Sequence, residues 1–311
     1  MEATKRREKL QWEYTIASIA SRFTTSTIKH PLDVVQTRFQ VNDGRLFSQL
    51  PRYNNTAHAI FTIARLEGLR GLYAGFLTGA LGSIITTGIG LLSFAKAKQR
   101  HDMSSKEKFT PDIAAAMGAG VWVCLCTNPF SLVKTRLQLQ TPLHQARPYS
   151  GLYDAFRTIK REEGFSALFR GIVPGLLLVS NLAINFTVYK ELRKTIFDFK
   201  TKGSKIQQNP DQILNSVEFA VLGITSNTVA ILPTYPFRVI RTRLQQRPDG
   251  DGIPRYRNSW HVVKETARFE GVRGFYKGIT PHLLINIPVA SMSFIVYENV
   301  LKLLKPAKRN D

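Results

Sequence analysis

Four stretches of the chain, residues 71–95, 113–133, 171–189 and 219–237, carry no Asp, Glu, Lys, Arg or His. Each is close to the roughly 20 residues that a helix needs to cross the hydrocarbon core of a bilayer. A helix lying half-buried on a soluble protein would interrupt such a run with a charged face every turn, so the pattern predicts spanning helices. Several runs are rich in small polar residues, as in residues 79–88, which suits close helix packing or a wet interior. Between them lie polar stretches such as residues 149–164, where Tyr153, Phe156 and Ile159 recur at helical spacing with cations among them. That is the pattern of an amphipathic helix on a membrane surface.

The pattern recurs with a period. Pro31-Leu-Asp33-Val-Val-Gln36-Thr-Arg38, Pro129-Phe-Ser131-Leu-Val-Lys134-Thr-Arg136 and Pro236-Phe-Arg238-Val-Ile-Arg241-Thr-Arg243 are three copies of one segment. A Glu-Gly pair follows each, at Glu67-Gly68, Glu163-Gly164 and Glu270-Gly271, and seven residues beyond each glycine stands another, in Tyr73-Ala-Gly75, Phe169-Arg-Gly171 and Tyr276-Lys-Gly278. The first residues of the three copies are 98 and 107 apart, so the chain reads as tandem units over 1–105, 106–205 and 206–311. Each unit predicts a helix bent at its proline, a surface helix and a second helix. The expected fold is all-α: six transmembrane helices and three short surface helices in a pseudo-threefold bundle.

Composition sharpens this reading. The 311 residues include 43 Lys and Arg against 22 Asp and Glu, a net charge of +21 that alone would suggest a nucleic-acid partner. The neutral runs exclude that partner, because a soluble basic protein spreads its lysines over amphipathic helices. Cys124 and Cys126, the only cysteines, lie within an apolar run, where a buried unpaired role is expected rather than metal or redox chemistry. The first ten residues are charged and predict no cleaved secretory leader. We find no catalytic residues, metal cluster or cofactor motif in the sequence, and no enzyme.

The triplicate Pro-x-acid-x-x-base segment, with Glu-Gly and aromatic-x-Gly behind it, resembles the mitochondrial carrier family over the whole chain. Segments such as Val41-Asn-Asp-Gly-Arg45, Cys124-Leu-Cys-Thr-Asn-Pro129, Leu137-Gln-Leu-Gln-Thr-Pro-Leu-His144 and Gly252-Ile-Pro-Arg-Tyr256 are most similar to members that carry folates in plastids. The resemblance implies a monomeric carrier working by alternating access. It also implies a small folate-like anion as solute, contact with anionic lipid or cardiolipin, and a chloroplast envelope location, with the mitochondrial inner membrane as alternative. A carrier for another nucleotide-like cofactor (NAD, FAD or a pyrimidine nucleotide) and a non-transporting protein of the same fold stay open beside it.

The resemblance also assigns roles. The acid and base positions would form interhelix ion pairs closing the cavity on the matrix or stromal side. Here the acid positions are Asp33, Ser131 and Arg238 and the base positions Gln36, Lys134 and Arg241, so that only Asp33 with Lys134 remains a full pair. Ser131 is expected to hydrogen-bond Arg241, while Arg238 near Gln36 brings no opposite charge. Such a gate is held by polar contacts and packing, or has lost strict gating. The opposite gate, late in the even helices, would use Lys98, Lys190, Arg193 and Glu298. Solute contacts would lie near Gly82, Ser83, Thr86, Thr87, Leu178, Asn181, Asn185, Ile285 and Asn286. Folate-like carriers usually have tryptophan at the position of Thr87 and a base at that of Ile285, and this chain has neither. Arg22, Ser26, Lys29 and Asp33 form one stripe on the first helix, which makes Arg22 a cavity-facing cation, or else one that snorkels to headgroups.

Overall fold

The computed structural model describes residues 2–43, 51, 53–101, 109–141, 148–201, 216–248, 254–285, 296 and 299–300. Its helices are α1 (Glu2–Val41), α2 (Thr56–Leu72), α3 (Phe76–His101), α4 (Phe109–Leu139), α5 (Leu152–Glu162), α6 (Ile172–Leu177), α7 (Ser180–Thr201), α8 (Ser216–Leu244) and α9 (Ser259–Gly274), with a 3₁₀ turn at Phe165–Phe169. Residues 279–285 are helical again, and no strand occurs among the described residues. Pro31, Pro129 and Pro236 lie inside α1, α4 and α8, which continue through them.

The surface helices begin and end for local reasons. The Asn55 side chain accepts from the His58 amide and caps α2, and Asn258 accepts from the His261 amide to cap α9. In α5, which follows Gly151, Asp154 accepts instead from the Ser150 amide. α5 ends at its Glu-Gly pair, and α2 and α9 kink at theirs: Gly68, Gly164 and Gly271 adopt φ of 67°, 83° and 64° with an extended ψ, a combination that only glycine reaches without strain.

Each unit builds a small core of its own. Val34 and Val35 pack with Tyr53, Ala59 and Ile63; Leu132 and Val133 with Tyr149, Ala155 and Ile159; Ile240 with Tyr256 and Val262. The surface helix thus turns one face onto the proline-bearing helix of its own unit, α1, α4 or α8. This corrects the expected apolar stripe of α5: Ile159 faces inward and is fully buried, whereas Tyr153 is 80% exposed.

By length and composition, residues 116–139 and 165–200 qualify as membrane spans, and 56–72 with 76–90 qualify as a pair bent by 53°. The last is a surface helix joined to a spanning one at Tyr73-Ala-Gly75.

Candidate functional site

The first helix of each unit, α1, α4 and α8, converges with the others at its proline segment, and the contacts between them repeat from unit to unit. The Thr37 hydroxyl meets the side-chain amide of Gln138 at 2.7 Å, Thr135 that of Gln245 at 3.0 Å, and Thr242 that of Gln40 at 2.8 Å. The Thr37 hydroxyl also lies 2.9 Å from the Asp33 carbonyl, so its single proton has two acceptors, Gln138 Oε1 and that carbonyl. In the same layer, Arg38 Nε donates to the Gln138 carbonyl, Arg136 Nε to that of Gln245 and Arg243 Nε to that of Gln40.

These three arginines are clasped within their own units. Arg38 donates to both oxygens of Glu67 at 2.5 and 2.7 Å, Arg243 to both of Glu270 at 2.5 and 3.0 Å, and Arg136 to both of Glu163. All three arginine side chains are fully buried. Burial works to raise the Glu270 carboxyl, but hydrogen bonds from Arg243 and Lys277 outweigh it and hold the group below its ordinary value. The spacing of the repeat contains both members of each clasp but does not pair them.

The residue before each proline ties its helix to the start of the next one in its unit. His30 Nε2 lies 2.9 Å from the Ala74 carbonyl, Asn128 Nδ2 donates to the carbonyls of Leu168 and Arg170, and the Tyr235 hydroxyl donates to that of Lys277. His30 therefore carries the Nε2 proton and caps a bend, with its ring stacked on Tyr73. The glycines that follow, Gly75, Gly171 and Gly278, have φ of 72° to 78° and sit against the backbone carbonyls of Lys134, Arg241 and Gln36. A Cβ at Gly75 would lie 3.0 Å from the Lys134 oxygen, so each even-numbered span enters the bundle pressed on the base position of the next unit.

Above the Thr–Gln layer is a polar recess of about 140 Å³ whose lining includes Asp33, Gln36, Ser131, Lys134, Arg238 and Arg241. Lys134 Nζ is 3.3 Å from Asp33 Oδ2, and among the described residues this is the only ion pair between those six positions. The expected Ser131–Arg241 bond is corrected. Ser131 reaches Gln245 at 3.4 Å, while Arg241 donates to Asn128 Oδ1 at 3.0 Å, because the arginine is turned along α4 toward the residue before Pro129. Gln36 Oε1 meets His282 Nδ1 at 3.1 Å. Outside the ring, Asp43 is almost fully buried and receives Arg255 at 2.7 Å and the Tyr256 hydroxyl at 3.3 Å, tying the third unit to the first.

The expected contact positions fall into separate places. Arg22, Ser83 and Thr87 line one narrow groove between α1 and α3, together with Ser26. Arg22 is exposed there. The Ser83, Thr86 and Thr87 hydroxyls each bond the carbonyl four residues back on their own helix. Gly82 lies against Phe130 on α4, so it serves helix packing rather than the groove. Leu178 lines the recess, Asn181 donates to Thr234 at 2.9 Å, Asn185 Oδ1 is buried without a partner, and Ile285 is buried. On the far side, Lys190 is exposed and Arg193 stands over the Phe219 ring. Asn286 and Glu298 lie outside the described residues, as does the side chain of Lys98.

A bundle of three such units, closed by a ring of proline segments, defines a membrane carrier rather than an enzyme. The chain belongs to the mitochondrial carrier family, whose model, described as mitochondrial carrier protein, matches it at residues 8–103, 105–200 and 214–308. It is 60% identical over 298 residues to Folate transporter 1, chloroplastic, of Arabidopsis thaliana, covering 95% of this chain and 96% of that protein. It is 34% identical over 272 residues to the mitochondrial nicotinamide adenine dinucleotide transporter 1 of Saccharomyces cerevisiae, covering 86% of this chain and 70% of that protein. Against the chloroplastic nicotinamide adenine dinucleotide transporter 1 of Arabidopsis thaliana the identity is 31% over 297 residues, covering 93% of this chain and 90% of that protein.

Proposed function

We propose that this protein carries folate, or a closely related pterin bearing carboxylates, across the chloroplast envelope by alternating access. The observation that supports it is the 60% identity, spread over nearly the full length of both chains, to a protein named as a chloroplastic folate transporter. The chain works as three units, 1–105, 106–205 and 206–311, hinged around the ring of proline segments. The gate on that side is Asp33, Gln36, Ser131, Lys134, Arg238 and Arg241, supported by the Thr–Gln layer. Arg22, Ser83 and Thr87 in their groove, with Leu178, Asn181 and Asn185 opposite, form the solute path.

Lipid holds the outer surface. A cleft of about 700 Å³ between the first and second units is lined by Arg70, the Tyr73–Gly75 turn, Tyr149 and Gly151, and offers backbone amides and a cation to a phosphate headgroup.

The test is uptake by the purified protein in liposomes. Folate should enter saturably and be competed by reduced folates, and Arg22→Gln should weaken uptake about tenfold or more, the range for a lost hydrogen bond to a charged group. Uptake of NAD or a pyrimidine nucleotide without folate would overturn the reading.

A further inference from the structure

We infer that Arg238 and Lys29, flanking Asp33 at the floor of the cavity, form an anion-binding clamp for a carboxylate of the transported solute. This rests on reading the solute as a carboxylate-bearing anion and names where that anion is held.

The recess is unbalanced in charge. Its lining holds the cations Lys134, Arg238 and Arg241 against the single carboxylate of Asp33. Lys29 stands one helical turn before Asp33 on α1, within electrostatic reach of Asp33, Lys134 and Arg238. Two of the four cations have partners: Lys134 pairs with Asp33 and Arg241 donates to Asn128. Neither the Arg238 guanidinium nor the Lys29 ammonium donates a hydrogen bond to any described residue.

A guanidinium presents five donors in a planar fork, and the half-buried Arg238 side chain lines the recess, where those donors are open to whatever enters it. The acceptor that matches this fork in charge and geometry is a carboxylate, held bidentately. Asp33 cannot fill that role alone, because its charge is already shared with Lys134. A solute carboxylate entering between Arg238 and Lys29 would bring the recess toward neutrality and supply the missing acceptors.

The test compares folate with pteroamide, which lacks the glutamate moiety and carries an uncharged amide in place of the benzoate carboxylate, on purified wild-type protein and on Arg238→Gln, Lys29→Gln and Arg238→Lys. Binding is read as the ligand-dependent rise in thermal unfolding temperature in detergent, and transport as liposome uptake. Wild type should bind folate more tightly than pteroamide. Each glutamine variant should lose about ten- to a hundredfold in folate affinity, the effect of a hydrogen bond to a charged group, with little change for pteroamide. Arg238→Lys should recover part of the loss, and unliganded unfolding temperatures report whether each variant is folded. Glutamine variants that bind and carry folate as wild type does would overturn the clamp while leaving folate transport standing. Folate binding that depends on Arg238 without folate uptake would uphold the clamp and overturn the transport reading. A wild type that does not distinguish folate from pteroamide would overturn the clamp.

Discussion

Removing the Asp33 carboxylate should cost more than removing the Lys134 ammonium, although the two form one ion pair. At 3.3 Å and an effective dielectric near 20, Coulomb's law gives an attraction of about 5 kcal/mol. The side chains are 27% and 17% exposed, so water screens part of this. Desolvation opposes the rest, leaving a net coupling of about 1 to 3 kcal/mol. Lys134→Gln leaves Asp33 in the field of Lys29 and Arg238. Asp33→Asn leaves Lys29, Lys134, Arg238 and Arg241 with no counter-charge in the recess. The difference is the attraction that Asp33 retains to Lys29 and Arg238, on the order of 1 kcal/mol after screening. For the same reason, exchanging the charges by Asp33→Lys with Lys134→Asp should not restore the wild type, because a lysine at 33 would stand beside two other cations. A double-mutant cycle on thermal unfolding of the detergent-solubilised protein measures all four states. A Lys134→Gln variant at least as unstable as Asp33→Asn, or an exchanged pair as stable as wild type, would refute the reasoning.

Glu67→Gln breaks one partner of a fully buried arginine and should destabilise the protein by about 3 kcal/mol or more, measured by the same unfolding assay; a loss under about 1 kcal/mol would mean that Arg38 finds another acceptor. Gly75→Ala forces a side chain into φ of 72° and against the Lys134 carbonyl, which should cost about 2 kcal/mol or more. Gly88→Ala, with open space around its Cβ, should be neutral or slightly stabilising. Equal behaviour of the two alanine variants would remove the argument for a close approach at Gly75.

The elements that repeat identically were legible in the sequence. Helices through Pro31, Pro129 and Pro236 and the single Asp33–Lys134 pair follow from residue types at fixed spacing. The Arg–Glu clasps were written in the same repeat and went unpaired, because Arg38 and Glu67 are 29 residues apart and nothing local joins them. The residues before the prolines were harder. His30, Asn128 and Tyr235 share no residue type, only a donor that reaches a carbonyl of their own unit, so no pattern marks them. Ser131 and Arg241 went astray for a similar reason: the repeat places the two near each other, but the nearer partners are Gln245 and Asn128. Surface helix α5 misled through its aromatic content, since the core of its own unit claims Ile159 and leaves Tyr153 outside.

The arginine clasps also determine where the molecule can come apart. Within a unit, a buried arginine grips its glutamate with two bonds, and breaking that grip costs about 3 to 5 kcal/mol. Across each boundary in the same layer, the joint is a threonine against an amide and one arginine N–H on a carbonyl, contacts worth about 1 kcal/mol apiece. In this layer the bundle is therefore like a cask, with stout staves and light seams, and ion pairs that cross a boundary, such as Asp33–Lys134 and Asp43–Arg255, lie outside it. A thermal fluctuation or an arriving solute that supplies a few kcal/mol parts the staves long before it splits one.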